Sequence, residues 1–236
     1  MNRWPYHVPI LGYHRVGARK GDHVPTVSAE AFERQLISLA RWRVRVVELR
    51  EIVQALDEER SLPRPSAAIT FDDGYEETCR IAWPLLKRFG FPSTVFITPT
   101  EIGLPGFLTW DQAAALAQDG CSIGSHTMRH SYVPRISEEH LWEELAGSKR
   151  AIEERIGRPV DFLSYPVGGF TLQAQAVAKE AGYLGACTTN RIVAGRWVDR
   201  YALRRVKVTE RDRYRCIFFA KLSGYYDVFR RLKHPG

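Results

Sequence analysis

Residues 67–97 read AAITFDDGYEETCRIAWPLLKRFGFPSTVFI. Ala67-Ala68-Ile69-Thr70-Phe71 is an apolar run of strand length, and Ser93-Thr94-Val95-Phe96-Ile97 is a second, β-branched and ended by Pro99. Between them Glu76 to Phe89 carries a helical pattern that stops at Gly90. Two strands joined through a helix are parallel neighbours, because parallel strands cannot be connected by a tight turn. This stretch therefore predicts a strand–helix–strand unit.

The same alternation runs along the chain. Val8 to Tyr13 reads as a first strand, and Ser28 caps a helix that puts Phe32, Leu36 and Leu39 on one face. Arg45 to Leu49 is a strand or its approach. Trp110 to Ala117 is a helix closed by Asp119-Gly120, followed by a brief strand at Ser122-Ile123-Gly124. Ser137 caps a long helix with Glu138 and Glu139 in its first turn, where the helix dipole favours them, and Gly157-Arg158-Pro159 stops it. Phe162 to Tyr165, Gly185 to Thr189 and Val206 to Val208 read as strands, and Leu172 to Ala181 as a helix. Strands alternating with helices at this spacing predict an α/β fold, a (β/α) barrel of seven to eight strands, distorted or incomplete.

The chain has 236 residues, 44% of them hydrophobic and 26% charged, too apolar for a disordered protein and ordinary for a globular one. Barrels of this class run to about 250 residues as one unit, so residues 1–236 are expected to form one domain. No run of about 18 apolar residues offers a transmembrane helix, and no secretory signal opens the sequence. Cys79, Cys121, Cys187 and Cys216 form no CxxC knuckle and read as isolated thiols. A cytoplasmic location follows as the expectation, with peripheral contact at the inner membrane face. The net charge of +7 draws on Arg200, Arg204, Arg205, Lys207, Arg211, Arg213 and Arg215, then Arg230, Arg231 and Lys233. An anionic membrane surface or an acidic substrate would answer that charge; a plain solvated basic face is the alternative. No nucleic-acid-binding module is recognisable, so nucleic acid is not expected as a partner.

Three clusters lie where strands end, the face on which barrels carry their chemistry. Asp72-Asp73-Gly74-Tyr75 puts two carboxylates directly after an apolar strand, where burying them unpaired would cost several kcal/mol. Ser125-His126-Thr127-Met128-Arg129-His130 spaces two histidines at i and i+4, which on one helical turn aims both imidazoles at one ion. One carboxylate and two histidines with open positions suit a catalytic zinc or similar divalent ion. Ser164-Tyr165-Pro166-Val167-Gly168-Gly169 ends a strand in a Pro/Gly turn, either an ordinary turn or a presenter of backbone N–H groups.

TFDDGY, SHTMRH about fifty residues on, and a strand ending YPVGG together resemble the polysaccharide deacetylases, the NodB-homology domain of carbohydrate esterase family 4. PILGYHRV near the start and Leu108-Thr109-Trp110-Asp111 resemble its poly-N-acetylglucosamine deacetylase branch. The resemblance covers about residues 8–210 and leaves 211–236 as a helical extension. It implies Asp73, His126 and His130 as metal ligands, with Zn2+ as the ion and Co2+ or Ni2+ as alternatives. It implies Asp72 as the general base and the Tyr75 backbone N–H as an oxyanion donor. Trp110 walls a sugar subsite or fills the core, and Tyr165 and Val167 of the third cluster are candidate substrate contacts.

The sequence departs from the family in two places. Ser164 and Val167 stand where the third motif usually reads Arg-x-Pro-Tyr, and the late Leu-x-x-His that supplies a general acid is missing. His14, at the end of the first strand, is the candidate acid, because barrel closure sets the first strand beside the last. Arg205 is the candidate to replace the missing arginine. The implied activity is metal-dependent hydrolysis of an N-acetyl group from an amino sugar in a polysaccharide or lipid-linked glycan. The rivals are hydrolysis of another N-acyl or formyl amide, and a degenerate glycan-binding module. Phe218, Phe219, Leu222, Tyr225, Tyr226, Phe229 and Leu232 suggest a last amphipathic helix, resting on lipid, packed on the barrel or forming a dimer contact.

Overall fold

The computed structural model describes residues 8–17, 24–189 and 199–223. In chain order they form β1 (Ile10–Tyr13), β2 (Arg15–Val16), β3 (Thr26–Val27), α1 (Ala29–Arg41), β4 (Arg45–Val46), α2 (Leu49–Asp57) and β5 (Ser66–Phe71). A π turn (Thr78–Ala82) leads into α3 (Trp83–Phe89), followed by β6 (Thr94–Ile97), α4 (Trp110–Gln118) and β7 (Ser122–Ser125). Next come α5 (Glu138–Trp142), a second π turn (Glu143–Gly147), α6 (Ser148–Ile156), β8 (Phe162–Ser164), α7 (Leu172–Glu180) and β9 (Gly185–Thr188). The last elements are β10 (Leu203–Lys207) and α8 (Arg215–Leu222).

The sheet closes. β5 to β10 pair in sequence, all parallel, and β1 lies between β10 and β5, with Ile10 opposite Arg205 on one side and Ala68 on the other. Seven strands make the barrel. β4 only extends the start of β5, through Arg45 opposite Ser66, while β2 and β3 form a separate pair. Every residue of β5 is buried, as expected for a strand with the barrel interior on one face and helices on the other.

Alternation along the strands divides the core in two. Ile10, Ala68, Phe96, Phe162, Cys187 and Leu203 fill the interior, whereas Leu11, Ile69, Phe71, Val95 and Leu163 pack outward against the helices. α2, unmarked in the sequence reading, contributes Leu49, Ile52 and Val53 to the interior cluster and so plugs the mouth where the strands begin. The helices expected at 76–89 and after Ser137 are present, but each contains a π turn. The first lies just ahead of Pro84, which has no N–H for the regular ladder.

Phe218 and Leu222 of α8 are buried, and Trp42 stacks on Phe218 at 6.4 Å between ring centres. The described part of the C-terminal segment thus packs on the barrel; Tyr225, Tyr226, Phe229 and Leu232 lie outside the described residues. Among the described residues no helix is long and apolar enough to cross a membrane. Cys121 and Cys187 are buried free thiols.

Gly124 in β7 faces the Phe96 ring so closely that a Cβ would stand 2.5 Å from it and 2.9 Å from the Phe162 carbonyl oxygen. Gly124→Ala is therefore expected to destabilise the barrel by about 1–3 kcal/mol, or roughly 2–12 °C in a thermal melt. An unchanged melting temperature would show that Phe96 yields freely.

Candidate active site

The ends of β1, β5, β7, β8 and β10 converge on two neighbouring carboxylates that face different ways. Immediately after β5 the backbone of Asp73 (φ 71°) and Gly74 (φ 72°) enters the left-handed region. A Cβ on Gly74 would also press on Ile97 Cγ2 at 3.0 Å, so glycine is required twice over. This sharp turn separates the side chains: Asp72 points to an arginine, Asp73 to two histidines.

Asp73 Oδ1 lies 3.4 Å from His126 Nε2 and 3.2 Å from His130 Nε2. The three potential ligand atoms all fall within 4.8 Å of one another. His126 Nδ1 is 2.7 Å from the Ser164 carbonyl oxygen. A carbonyl can only accept, so Nδ1 carries a ring proton and Nε2 is the nitrogen turned to Asp73. Asp73 Oδ1 itself is buried and has no hydrogen-bond partner among the described residues. A buried carboxylate oxygen facing two imidazole nitrogens is satisfied by a cation among them, so the residues fit a divalent ion.

Burial pushes the Asp73 carboxyl up, but His126 and His130 outweigh it and hold it well below the usual carboxylate range. The Asp73 carboxylate in turn raises His130. The His126 side chain is 2% exposed and that of His130 36%, so the site opens to solvent on the His130 side.

The histidine pair does not lie on a helical turn, as its spacing predicts. Thr127 (φ 66°) and His130 (φ 54°) are left-handed, and residues 126–130 form a loop. The rings still meet, 4.9 Å apart at 69°, because the left-handed residues coil the loop back on itself.

Asp72 is held from the opposite strand of the closure. Arg205 Nη1 donates to its Oδ1 at 2.7 Å and Nη2 to its Oδ2 at 2.6 Å, a bidentate pair with both side chains buried. Nη2 also donates to Ser164 Oγ at 2.8 Å and Nη1 to Thr70 Oγ1 at 3.2 Å, while Thr70 donates to the Leu11 carbonyl. Burial pushes the Asp72 carboxyl up; Arg205, then His126, bring it below its ordinary value. Thr70 was not singled out in the sequence, although strand alternation puts residues 70 and 72 on one face. Ser164, noted only as the residue replacing an arginine, donates to Asp72 Oδ1 at 3.3 Å.

His14 Nε2 lies 3.9 Å from Asp72 Oδ2. Burial lowers its pKa, against the pull of Asp72 and Asp73, so the ring is neutral at pH 7. Tyr75 forms an antiparallel bridge with Phe107 in which Glu76 N–H bonds Gly106 O and Leu108 N–H bonds Gly74 O. In that pattern the Tyr75 N–H turns away from Phe107. Its phenol is pushed up to about 12, by burial first and then by Asp73, and the Arg15 guanidinium lies 4.0 Å from its ring centre.

The candidate substrate contacts are placed differently. Trp110 is half-buried against the core with Arg155 5.6 Å from its ring centre. Tyr165 is fully buried, its hydroxyl donating to the Tyr201 carbonyl at 3.2 Å, and so presents no surface to a glycan. Val167 is 78% exposed at the tip of the turn after β8, with φ 59°, a strained conformation for a β-branched residue.

This chain belongs to the polysaccharide deacetylase family, whose model matches residues 59–186. YxkH of Bacillus subtilis (strain 168), whose name places it among the polysaccharide deacetylases, is 31% identical over 205 residues, covering 87% of this chain and 72% of its own. A peptidoglycan-N-acetylglucosamine deacetylase of Bacillus cereus is 32% identical over 118 residues, 49% of this chain and 53% of that one. The structure of IcaB from Ammonifex degensii superposes with a TM-score of 0.77 at 25% identity, covering 92% of this chain and 98% of that chain. The barrel is thus of the NodB-homology type.

Arg205→Met would leave Asp72 buried and unpaired, and should cost about 3–5 kcal/mol at pH 7. The sign follows from the two carboxyl pKa values. The wild-type carboxyl is depressed, so its contribution is full above about pH 4, the ordinary carboxylate value, and lost as pH falls through the lower folded value. In the variant burial, the largest influence, is opposed only by His126 and His14 and raises the carboxyl, so its penalty disappears as pH falls below that same value. Urea titrations at pH 7 and pH 4 should show the gap narrowing on acidification; a pH-independent gap would mean that the ion pair does not carry it.

Proposed function

We propose that this protein hydrolyses the N-acetyl group of N-acetylglucosamine units in a glycan, using a divalent ion held by Asp73, His126 and His130. The observation that carries the reading is the orphaned Asp73 Oδ1 facing two imidazole nitrogens at 3.2 and 3.4 Å, inside a barrel of this family. The sugar is suggested by the Bacillus cereus relative, whose name specifies N-acetylglucosamine. When bound, Zn2+ or a similar ion lowers the pKa of its water towards about 7 and polarises the acyl carbonyl.

The chain's own residues supply the rest. Asp72, kept ionised by Arg205, accepts the proton of the attacking water. The Tyr75 N–H donates to the oxyanion that forms on the former carbonyl oxygen. The leaving amine needs a proton, since an amine anion will not depart, and His14 is the group assigned to deliver it. As a neutral imidazole it must first be charged, and Asp72 at 3.9 Å is the nearest carboxyl that can hand on the proton taken from water. Arg205 acts through Asp72, aiming both carboxylate oxygens and preventing the carboxyl from becoming neutral on burial.

Acetate release from N-acetylglucosamine oligomers, measured for metal-stripped and zinc- or cobalt-loaded protein, tests this directly. Release is expected only from the loaded protein. No release from a loaded enzyme would move the substrate to another N-acyl amide, and no binding of metal would end the metal reading. Asp72→Asn should retain the metal and lose about 10²–10⁴-fold in kcat, whereas His126→Ala should lose metal and turnover together. His14→Ala should keep the metal and lower kcat; an unaltered rate would remove His14 from the mechanism.

A further inference from the structure

The loop that carries His126 and His130 has two left-handed residues and no regular secondary structure to hold it. What holds it is the turn between α5 and α6. Glu144, 3% exposed, accepts the backbone N–H groups of Met128 and Arg129 on Oε2, each at 3.1 Å, and the Arg129 guanidinium on Oε1 at 2.9 Å. The Met128 N–H also reaches the Glu144 carbonyl at 3.0 Å. That carbonyl lies in the π turn Glu143–Gly147, and such turns interrupt the regular ladder and release carbonyls from it. The next one, Leu145 O, accepts the Tyr183 hydroxyl at 2.8 Å and Ser148 Oγ at 2.9 Å.

Hydrogen accounting extends the clamp to the strand end. Ser148 spends its one hydroxyl proton on Leu145 O, so in the 2.7 Å contact between Ser125 and Ser148 it is Ser125 that donates. Ser125 Oγ then remains free to accept the Thr127 N–H at 3.2 Å. Met128 O is taken from the far side by Thr100 Oγ1 at 3.0 Å. Between the two histidines the Met128 and Arg129 amides are thus bonded on the α5–α6 side and the Thr127 amide to Ser125 of β7, with the Glu144 carboxylate buried behind them.

We propose that Glu144 is the positioning residue of the metal site, and that the π turn between α5 and α6 exists to present its carboxylate and carbonyl to the backbone between the two histidines. This rests on the metal reading above and adds to it a residue that touches neither ligand side chain nor substrate. Its action is geometric: two charge-assisted bonds to consecutive amides fix the loop so that both Nε2 atoms face Asp73 before any ion arrives. Lysine or arginine partners at the surface would not do this, since they would leave the amides unbonded.

The test is Co2+ binding to the full chain, read by affinity and by the visible ligand-field spectrum, with Zn2+ competition. Glu144→Ala should weaken Co2+ about 10–100-fold and alter the spectrum. Glu144→Gln, which keeps an acceptor for the two amides, should stay within about threefold of wild type with the wild-type spectrum. Arg129→Ala, which removes only the half-exposed arm of the cluster, should bind as wild type does. Wild-type affinity and spectrum in a folded Glu144→Ala would overturn the inference while leaving the metal reading intact. Failure of the wild-type chain to bind Co2+ would overturn both. Should Glu144→Ala not fold, amide hydrogen exchange in the metal-free wild type decides: the Met128 and Arg129 amides should be protected, and exchange at unstructured-loop rates would overturn the clamp.

Discussion

The active end of this protein depends on closure of the sheet. β1 pairs with both β5 and β10, and Arg205 crosses that seam, passing over Gly12 of β1 to reach Asp72 beyond β5. The guanidinium then bonds Asp72, Ser164 and Thr70, groups from two other strands. A buried arginine and a buried aspartate are each expensive to desolvate, and only good geometry with further hydrogen bonds offsets that cost. Once closure has set β10 beside β1, both requirements are met together. An open sheet would leave Asp72 without its cation and Ser164 without its donor.

The second constraint lies in the two residues after β5. Adjacent carboxylates at the end of one strand would repel each other if both faced the same way. The left-handed turn at Asp73 and Gly74 sends one into the arginine and the other towards the histidines. Each is then kept ionised by a different cationic or imidazole environment, despite burial that pushes both up. Two identical side chains thereby obtain separate surroundings, one an arginine and the other a pair of histidines. The physical cost is left-handed backbone at Asp73, met by a neighbouring glycine that fits tightly under Ile97.

The helices around the barrel also shape the site, through places where they are irregular. The π turn of residues 143–147 releases carbonyls that bond the histidine loop and Tyr183. Val167 sits exposed and left-handed where β8 gives way to α7, so the third strand end is strained too. Strand ends supply Arg205, Ser164 and Thr70 to the site, while irregular turns supply Asp73, His126 and His130.

Much of this was legible in the sequence, because local signals coincide with final structure wherever burial has a clear period. The strand–helix–strand unit of 67–97, the cap at Ser28 and the stop at Gly157 follow from alternation, capping and glycine chemistry that act over a few residues. The grouping of Asp72, Asp73, His126 and His130 was legible for the same reason: charged and imidazole side chains after apolar strands have few places to go. α2 was not marked although Leu49, Ile52 and Val53 carry the helical period, because Arg45 to Leu49 reads as strand and takes the first of them; its place at the barrel mouth depends on where the strands begin. The histidine loop was read as a helical turn because spacing alone does not reveal left-handed residues. The pairing of Arg205 with Asp72, 133 positions apart, and the approach of His14 to the same carboxylate were decided by closure. So was the hold of Glu144 on the loop, which depends on how a helix widens against its neighbours. Sequence periodicity determined which faces are buried; only packing in three dimensions determined which polar groups meet, because hydrogen bonds act over about 3 Å and no local rule brings distant strands that close.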